Sequence, residues 1–295
     1  MSRACLVVLL LVLTGCATGP EVPAPPRGAI AIGLIGDTPY SLAQATQLDG
    51  VIDAMNLAPL AVVVHVGDIT SGCGPCGDAW LLARKRQLER IRHPFVLLPG
   101  DNEWTDCHRG GFEPLERLAR WRQLFCTDVA LPAFVRQPAL QPQFGAYCEH
   151  ARWEAGNAVF VALNVTGSNN NLGRSAAMDA ERAARMRAVR AWLDAALARA
   201  ARPAARLLVV LMHANPGFSG THPPGRFDGL DKVRDMLAET VRRLRKPVLL
   251  VHGDSHSYRD DKPLAGLRRI EVWGAPDVRW VAATLYPDGS IEVRD

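Results

Sequence analysis

Five short polar blocks hold the residues of this chain that could do chemistry. They are Gly36-Asp37, His65-Val66-Gly67-Asp68, Gly100-Asp101-Asn102-Glu103, His213, and His252-Gly253-Asp254-Ser255-His256. Carboxylates and imidazoles hold divalent cations and move protons. Most of the blocks close an apolar run, so runs lying side by side would gather these groups at one edge of a sheet. Carboxylates that close together repel unless a cation sits among them. One Asp after one strand reads as a turn or cap residue; the set reads as a metal site.

The apolar runs at 29–35, 60–64, 95–98, 207–212 and 248–251 are bounded by Gly or Pro and read as buried strands. The spacing predicts helices over 41–57, 78–91, 113–125 and 178–200, the last long and amphipathic. A Pro-rich loop is expected at 131–142. Paired strands are expected at 144–154 and 158–164 around an Ala155-Gly156-Asn157 turn, followed by a tight polar loop at 166–171. Two more strand–helix units should hold His213 and Asp254. The tail from 267 to 293 reads as a short meander with a hairpin turn at Pro287-Asp288-Gly289. Strands alternating with helices, then packed on a second set of strands, predict an α/β fold of two mixed β-sheets packed as a sandwich and flanked by helices.

The 295 residues, 48% apolar with a formal net charge of +4, suit one large α/β domain with a substantial core. The basic residues are scattered and no basic stripe interleaves with aromatics, so nucleic-acid binding is not expected. Arg3 and an apolar stretch from Leu6 to Leu13, too short to span a bilayer alone, open the chain. Leu13-Thr14-Gly15-Cys16 follows and resembles a bacterial lipobox. That resemblance implies removal of 1–15 as a signal peptide, lipidation of Cys16, and export as an envelope lipoprotein. Ala17, where Asp would favour inner-membrane retention, points to the periplasmic side of the outer membrane. Residues 16–28, with Pro20, Pro23, Pro25 and Pro26, then form a stiff tether and 29–295 the domain, with membrane contact through the lipid only.

Beyond Cys5 and Cys16 the cysteines are Cys73, Cys76, Cys107, Cys126 and Cys148. In an oxidising compartment disulfides are expected, and the odd count leaves one thiol free or intermolecular. Cys73-Gly74-Pro75-Cys76 resembles the redox tetrapeptide of thioredoxins. No Trp precedes it, however, and its loop already carries Asp68. A structural disulfide involving one or both thiols is the better reading.

In order and spacing, the five blocks resemble the calcineurin-like metallophosphoesterases, a superfamily that includes purple acid phosphatases, over about residues 30–258. The family pattern is Asp-X-His, Gly-Asp, Gly-Asn-His-(Asp/Glu), a lone His, and Gly-His-X-His. It implies two divalent metal ions sharing one bridging aspartate, and hydrolysis of a phosphate mono- or diester by an activated water. On this resemblance Asp37 is the first aspartate, Asp68 the bridging one, His213 the lone histidine, and His256 closes the last block. Asp101 falls at the ligand asparagine and Asn102 at the histidine that steadies the transition state. A register shifted by one makes Asn102 the ligand instead. Asp254 replaces the first histidine of the last block, Glu103 is the acceptor that orients its neighbours, and Pro39 stands where Asp-X-His has its histidine. The implied metal ligands are Asp37, Asp68, Asp101, Asn102, His213, Asp254 and His256.

These departures have physical consequences. Proline has no side-chain donor, and Asn102 cannot give up a proton at neutral pH. His65, His108 and His252 are the candidates for a replacement acid by proximity; His252 and Asn102 form the catalytic assignment. Carboxylate-heavy sites suit Mn²⁺, Mg²⁺ or Ca²⁺, while imidazole favours Zn²⁺ or Fe; the two ions are expected among Mn, Fe, Zn and Mg. Arg109 and Arg259 follow ligand blocks and would pair with a substrate phosphate or with surface carboxylates. The substrate expected is a phosphorylated small molecule or another phosphoester. Two other functions stay open: a degenerate envelope lipoprotein that binds metal and phosphate without turnover, and a thiol–disulfide protein using Cys73 and Cys76.

Overall fold

The computed structural model describes residues 19–126, 147–218 and 228–295. The leader, Cys16 and the loop expected at 131–142 lie outside the described residues, as do positions 144–146 of an expected strand. In the first sheet β1 (Ile30–Ile35), β2 (Leu60–His65) and β3 (Phe95–Leu97) run parallel. An antiparallel pair, β10 (Val281–Leu285) and β11 (Ile291–Arg294), extends it in the order β11-β10-β1-β2-β3. The second sheet has β5 (Ala158–Ala162), β6 (Leu207–Leu211), β7 (Val248–His252) and β9 (Leu267–Glu271) in parallel. Antiparallel β4 (Ala151–Ala155) and β8 (Arg259–Leu264) close its two edges.

Alternation along the strands makes the layers. Ile32, Leu34, Val62 and Val64 of the first sheet meet Phe160, Val209, Leu249 and Val251 of the second in a core between the sheets. The opposite face of the first sheet packs on α1 (Leu42–Leu57), α2 (Asp78–Leu88) and α3 (Pro114–Phe125) through Ile35, Val63, Leu48, Ile52, Leu81 and Trp121. The outer face of the second sheet packs on α5 (Ala176–Ala200) and α6 (Asp231–Leu244). One turn, α4 (Gly167–Asn170), lies between β5 and α5. Burial on both faces is why the parallel strands read as unbroken apolar runs. The architecture is two mixed sheets flanked by helices.

Three expectations change. No helix follows Asp254: β8 does, with the sequence Arg-Asp-Asp-Lys-Pro-Leu. It is held to β9 by cross-strand Arg268–Asp260 and Arg269–Asp261 pairs rather than by apolar burial. The tail is not one meander, because β9 belongs to the second sheet and the β10–β11 hairpin to the first. Its crossing segment passes the first block, where the Ala275 N–H donates to the Asp37 carbonyl at 3.0 Å. The strand expected at 144–154 is confined, among described residues, to Ala151–Ala155. The hairpin turn at 287–289 is present, with Gly289 at φ +91°.

The residues before β1 do not stand clear of the domain. Gly19 lies against the Trp280 indole, Val22 packs on the α1–β1 core, and Gly28 abuts Pro287 in the hairpin turn. Among the described residues no helix is long and apolar enough to cross a membrane. Disulfides join Cys76 to Cys107 and Cys126 to Cys148, leaving Cys73 free and exposed.

Candidate metal centre

β1, β2, β3, β6 and β7 all deliver their polar blocks to one edge of the sandwich. Tight backbone packing shapes that edge. A Cβ on Gly67 would stand 2.6 Å from the Gly100 nitrogen, and one on Gly100 would stand 1.9 Å from Asp68 Oδ1. Glycine is therefore required before Asp68 and before Asp101 for steric reasons. Asp37 (φ 51°), Asp68 (φ 61°), Asp254 (φ 80°) and His256 (φ 55°) all adopt left-handed backbone. For non-glycine residues this is costly, and such strain concentrates at functional sites.

The side chains form two triads. Ligand atoms of Asp37, Asp68 and His256 lie within 4.8 Å of one another, as do those of Asp68, Asp101 and His213. Asp68 belongs to both. His213 Nε2 is 2.9 Å from Asp101 Oδ1, 3.5 Å from Asp68 Oδ1 and 3.8 Å from Asp254 Oδ1, which puts Asp254 beside the second triad. A third grouping, Cys126, Cys148 and Glu149, is spent as a disulfide.

Surrounding contacts hold these groups in place. The Asp254 N–H donates to the Asp37 carboxylate at 3.0 Å, and the Asn215 N–H donates to Asp254 Oδ2 at 3.0 Å. Glu103, fully buried, accepts from the Ile69 and Gly100 N–H groups and so ties the loop after β2 to the loop after β3. The sulfurs of Cys76 and Cys107 lie 3.4 and 3.3 Å from the Asn102 carbonyl, so a disulfide stands directly behind the third block.

Asp101, rather than Asn102, enters the His213 triad. The Asn102 N–H donates to Asp68 Oδ1 at 3.0 Å, while its side-chain amide donates to the Thr70 carbonyl at 2.9 Å and Tyr40 Oη at 3.3 Å. His252 is displaced from the catalytic assignment. It is fully buried, its Nδ1 is 2.8 Å from the Gly253 carbonyl, and burial pushes it down to about 3, so at neutral pH it is a neutral imidazole and not an imidazolium acid. His65 is likewise buried, placed against the Thr38 carbonyl and pushed down to about 4. His108 is exposed on the 3₁₀ turn Thr105–Gly110, with Nδ1 against the Thr105 carbonyl. Arg109 pairs with Asp106 and Arg259 with Glu271.

Two groups escaped the sequence reading. Tyr40 Oη donates to Asp68 Oδ2 at 3.0 Å and lies 2.9 Å from His256 Nε2, inside the first triad. It comes three residues after Asp37, one beyond the proline that stands where the resembled pattern has a histidine, and that position was the available signal. The Ser168 hydroxyl lies between Asp101 Oδ2 (2.8 Å) and Asp106 Oδ1 (2.6 Å), bringing the polar loop onto the second triad.

Electrostatically the cluster lacks positive charge. Burial, joined by Asp254 and Asp101, pushes the Asp37 carboxyl up to about 7. Burial and the charges of Asp101, Glu103 and Asp37 hold Asp68 well above the usual range, and burial lifts Asp254 to about 6. Burial alone would lower His213, but Asp68, Asp101 and Asp37 raise it well above its ordinary value. Its hydrogen bond holds Asp101 down to about 2 against burial. One imidazolium among four carboxylates leaves a buried negative excess, and an oxygen-rich donor set of this kind fits divalent cations.

Solved structures share this arrangement of sheets. A dimetal phosphatase from Danio rerio superposes with a TM-score of 0.57 at 15% identity, covering 87% of this chain and 93% of that one. The chain shares the fold of this phosphatase. A purple acid phosphatase from yellow lupin (Lupinus luteus) seeds gives 0.55 at 15% identity over 93% of this chain and 53% of its own. The phosphopantetheinyl hydrolase of Mycobacterium tuberculosis gives 0.54 at 17% identity over 83% and 90%. No sequence-family model and no curated protein matches the chain. The likeness is thus one of backbone arrangement at low sequence identity.

The raised carboxyls make a prediction about the cation-free protein. Asp37 and Asp254, at about 7 and about 6 folded against an ordinary 3.8, bind protons more tightly folded than unfolded. Their contribution is full below about pH 4 and is lost as pH rises through 6 to 7. His213, raised in the fold, acts in the same direction. Asp101 opposes as pH falls toward 2, and the depressed His65 and His252 oppose below about pH 6.5. Chelator-treated protein is therefore expected to melt at lower temperature at pH 8 than at pH 6.5, and added divalent cation to raise the melting temperature more at pH 8. Scanning calorimetry with and without Mn²⁺ measures both.

Proposed function

We propose that this chain is a metal-dependent phosphoesterase that hydrolyses a phosphate mono- or diester with two divalent cations. The observation that carries the reading is Asp68, one buried carboxylate common to two triads of ligand atoms. Asp37, His256 and the Tyr40 oxygen would hold one cation, and Asp101, His213 and Asp254 the other, with Asp68 between them. Two such ions supply charge that stabilises the phosphoryl oxygens and makes water nucleophilic at neutral pH. The second set, with three carboxylates and one imidazole, suits Mn²⁺ or Mg²⁺; the first, with a phenol and an imidazole, admits Fe or Zn²⁺.

The chain's own residues set the rest of the chemistry. The Ser168 hydroxyl and the Asn102 N–H fix the orientations of Asp101 and Asp68. The Asn102 amide can donate a hydrogen bond but no proton, so esters with acidic leaving groups should turn over fastest, general acid help being worth about 10²–10⁴-fold. Hydrolysis of chromogenic mono- and diesters by stripped protein reloaded with Mn²⁺, Mg²⁺, Zn²⁺ or Fe²⁺ tests the reading. Cation-dependent turnover supports it. Stoichiometric cation binding without turnover on any ester replaces it with the binding-only function, which Asn102 in place of a proton donor favours. The thiol–disulfide reading has less support, because Cys76 is bonded to Cys107 rather than to Cys73.

The proposal includes export and lipidation at Cys16, supported by Leu13-Thr14-Gly15-Cys16. Cys16→Ala is expected to shift the protein from the membrane to the soluble fraction; retention in the membrane would remove the anchor.

A further inference from the structure

We infer that the lipid anchor holds the catalytic edge of the domain against the bilayer, so that the ester hydrolysed belongs to the headgroup of a membrane lipid. This rests on the phosphoesterase and Cys16 readings above. The decisive feature is the path of the chain before β1. Had residues 16–28 been a free tether, the domain would hang from the start of β1, at the pole opposite the metal centre. Instead Gly28 touches Pro287 at that far pole, Val22 packs on the α1–β1 core, and Gly19 lies on Trp280. The segment runs back up the outer face of the first sheet.

Trp280 marks the level reached. The antiparallel register pairs Leu34 with Val281, which sets Trp280 beside Ile35, two residues before Asp37. Its own connection holds Ala275 on the Asp37 carbonyl and on His256 Nδ1. Gly19 lies three residues beyond Cys16 in the sequence, a reach of at most about 11 Å for extended chain. The described chain thus begins at the level of the metal centre, within that reach of the proposed anchor.

The edge so placed has surface suited to a membrane. Leu42, two residues beyond Tyr40, is 74% exposed, and Phe112, just past the 3₁₀ turn that follows the third block, is 38% exposed. Leu57, the other large exposed apolar side chain among the described residues, sits at the far end of α1. Beside Ser168, the guanidinium groups of Arg109 and Arg174 flank the Asp106 carboxylate and can meet anionic headgroups.

The test compares the lipidated protein with a form carrying a 20-residue Gly/Ser insertion between Ala17 and Thr18, and with Cys16→Ala. Cys73, free and exposed on the loop after Asp68, takes a donor dye, and vesicles of phosphatidylglycerol and phosphatidylethanolamine carry headgroup acceptors. Energy transfer is expected to be strong for the native linker and to fall on insertion, which adds a flexible span of about 25 Å. Turnover of a vesicle-borne phosphatidic acid or phosphodiester lipid is expected to fall about tenfold with the insertion or with Cys16→Ala, through lost effective concentration. A water-soluble chromogenic ester should be turned over equally by all three forms. Transfer that ignores the insertion, or lipid turnover that ignores it, overturns the inference. No turnover of either ester while the transfer pattern holds overturns the phosphoesterase reading and removes the substrate assignment with it.

Discussion

Asp68→Asn is expected to lower phosphoester turnover by at least about 10³-fold, the scale of removing a group that organises charge in the transition state. The substitution keeps the shape and removes the charge. Asp68 Oδ1 accepts the Asn102 N–H and faces His213, while Oδ2 accepts from Tyr40, so a single carboxylate touches both triads. An amide can present its carbonyl to only one of them. Cation stoichiometry should therefore fall together with turnover. Stability should move the opposite way. Asp68 is buried and its carboxyl is held well above the usual range, the mark of a charge the cation-free fold disfavours. Neutralising it should leave the chelated protein as stable as the parent or more so at pH 8. Equilibrium dialysis, kcat/KM and melts on the same preparations measure all three. Retention of two tightly bound cations by the variant would show that Asp68 does not lie between them.

What the sequence revealed, and what it hid, follows from where each element gets its stability. β1, β2, β6 and β7 are unbroken apolar runs because both faces are covered, so burial writes them into composition. β8 was invisible because its cohesion comes from Asp260 and Asp261 pairing with arginines on β9, and charged residues spaced for a partner strand resemble a loop. The tail was assigned to one sheet because adjacency in sequence carries no sign of a crossover. The order of the blocks marked the edge where Asp37, Asp68, Asp101, His213, Asp254 and His256 meet. It did not mark side-chain direction. His252 ends β7 on the face of Val248 and Leu250, which meet the helices, whereas Leu249 and Val251 point between the sheets. Counting residues to Asp254 therefore overstated its access to the site. Tyr40 was hidden for the reverse reason: a family position held by proline drew attention to a loss, while the compensating oxygen stood one residue further on.

Tyr40→Phe is expected to weaken cation binding at the Asp37–Asp68–His256 position by about 10–100-fold and leave the Asp101–His213–Asp254 position within a few-fold of the parent. The ring should stay put, since it packs edge-on to His256 with centroids 5.2 Å apart. Only the oxygen is lost. That oxygen is placed between Asp68 Oδ2 and His256 Nε2, at 3.0 and 2.9 Å, and accepts from the Asn102 amide at 3.3 Å. Burial and the Asp68 and Asp37 charges push the phenol up, so in the cation-free protein it stays protonated and serves as a donor to Asp68. A cation held there would face four protein groups with this oxygen among them, and three without it. Isothermal titration with Mn²⁺ should resolve one weakened and one preserved binding event in the variant. Equal weakening of both events would mean that Tyr40 acts only by orienting the shared Asp68. Two unchanged events would mean that the phenol is a hydrogen-bond donor to Asp68 and nothing more, and that Pro39 leaves the first position with three protein ligands.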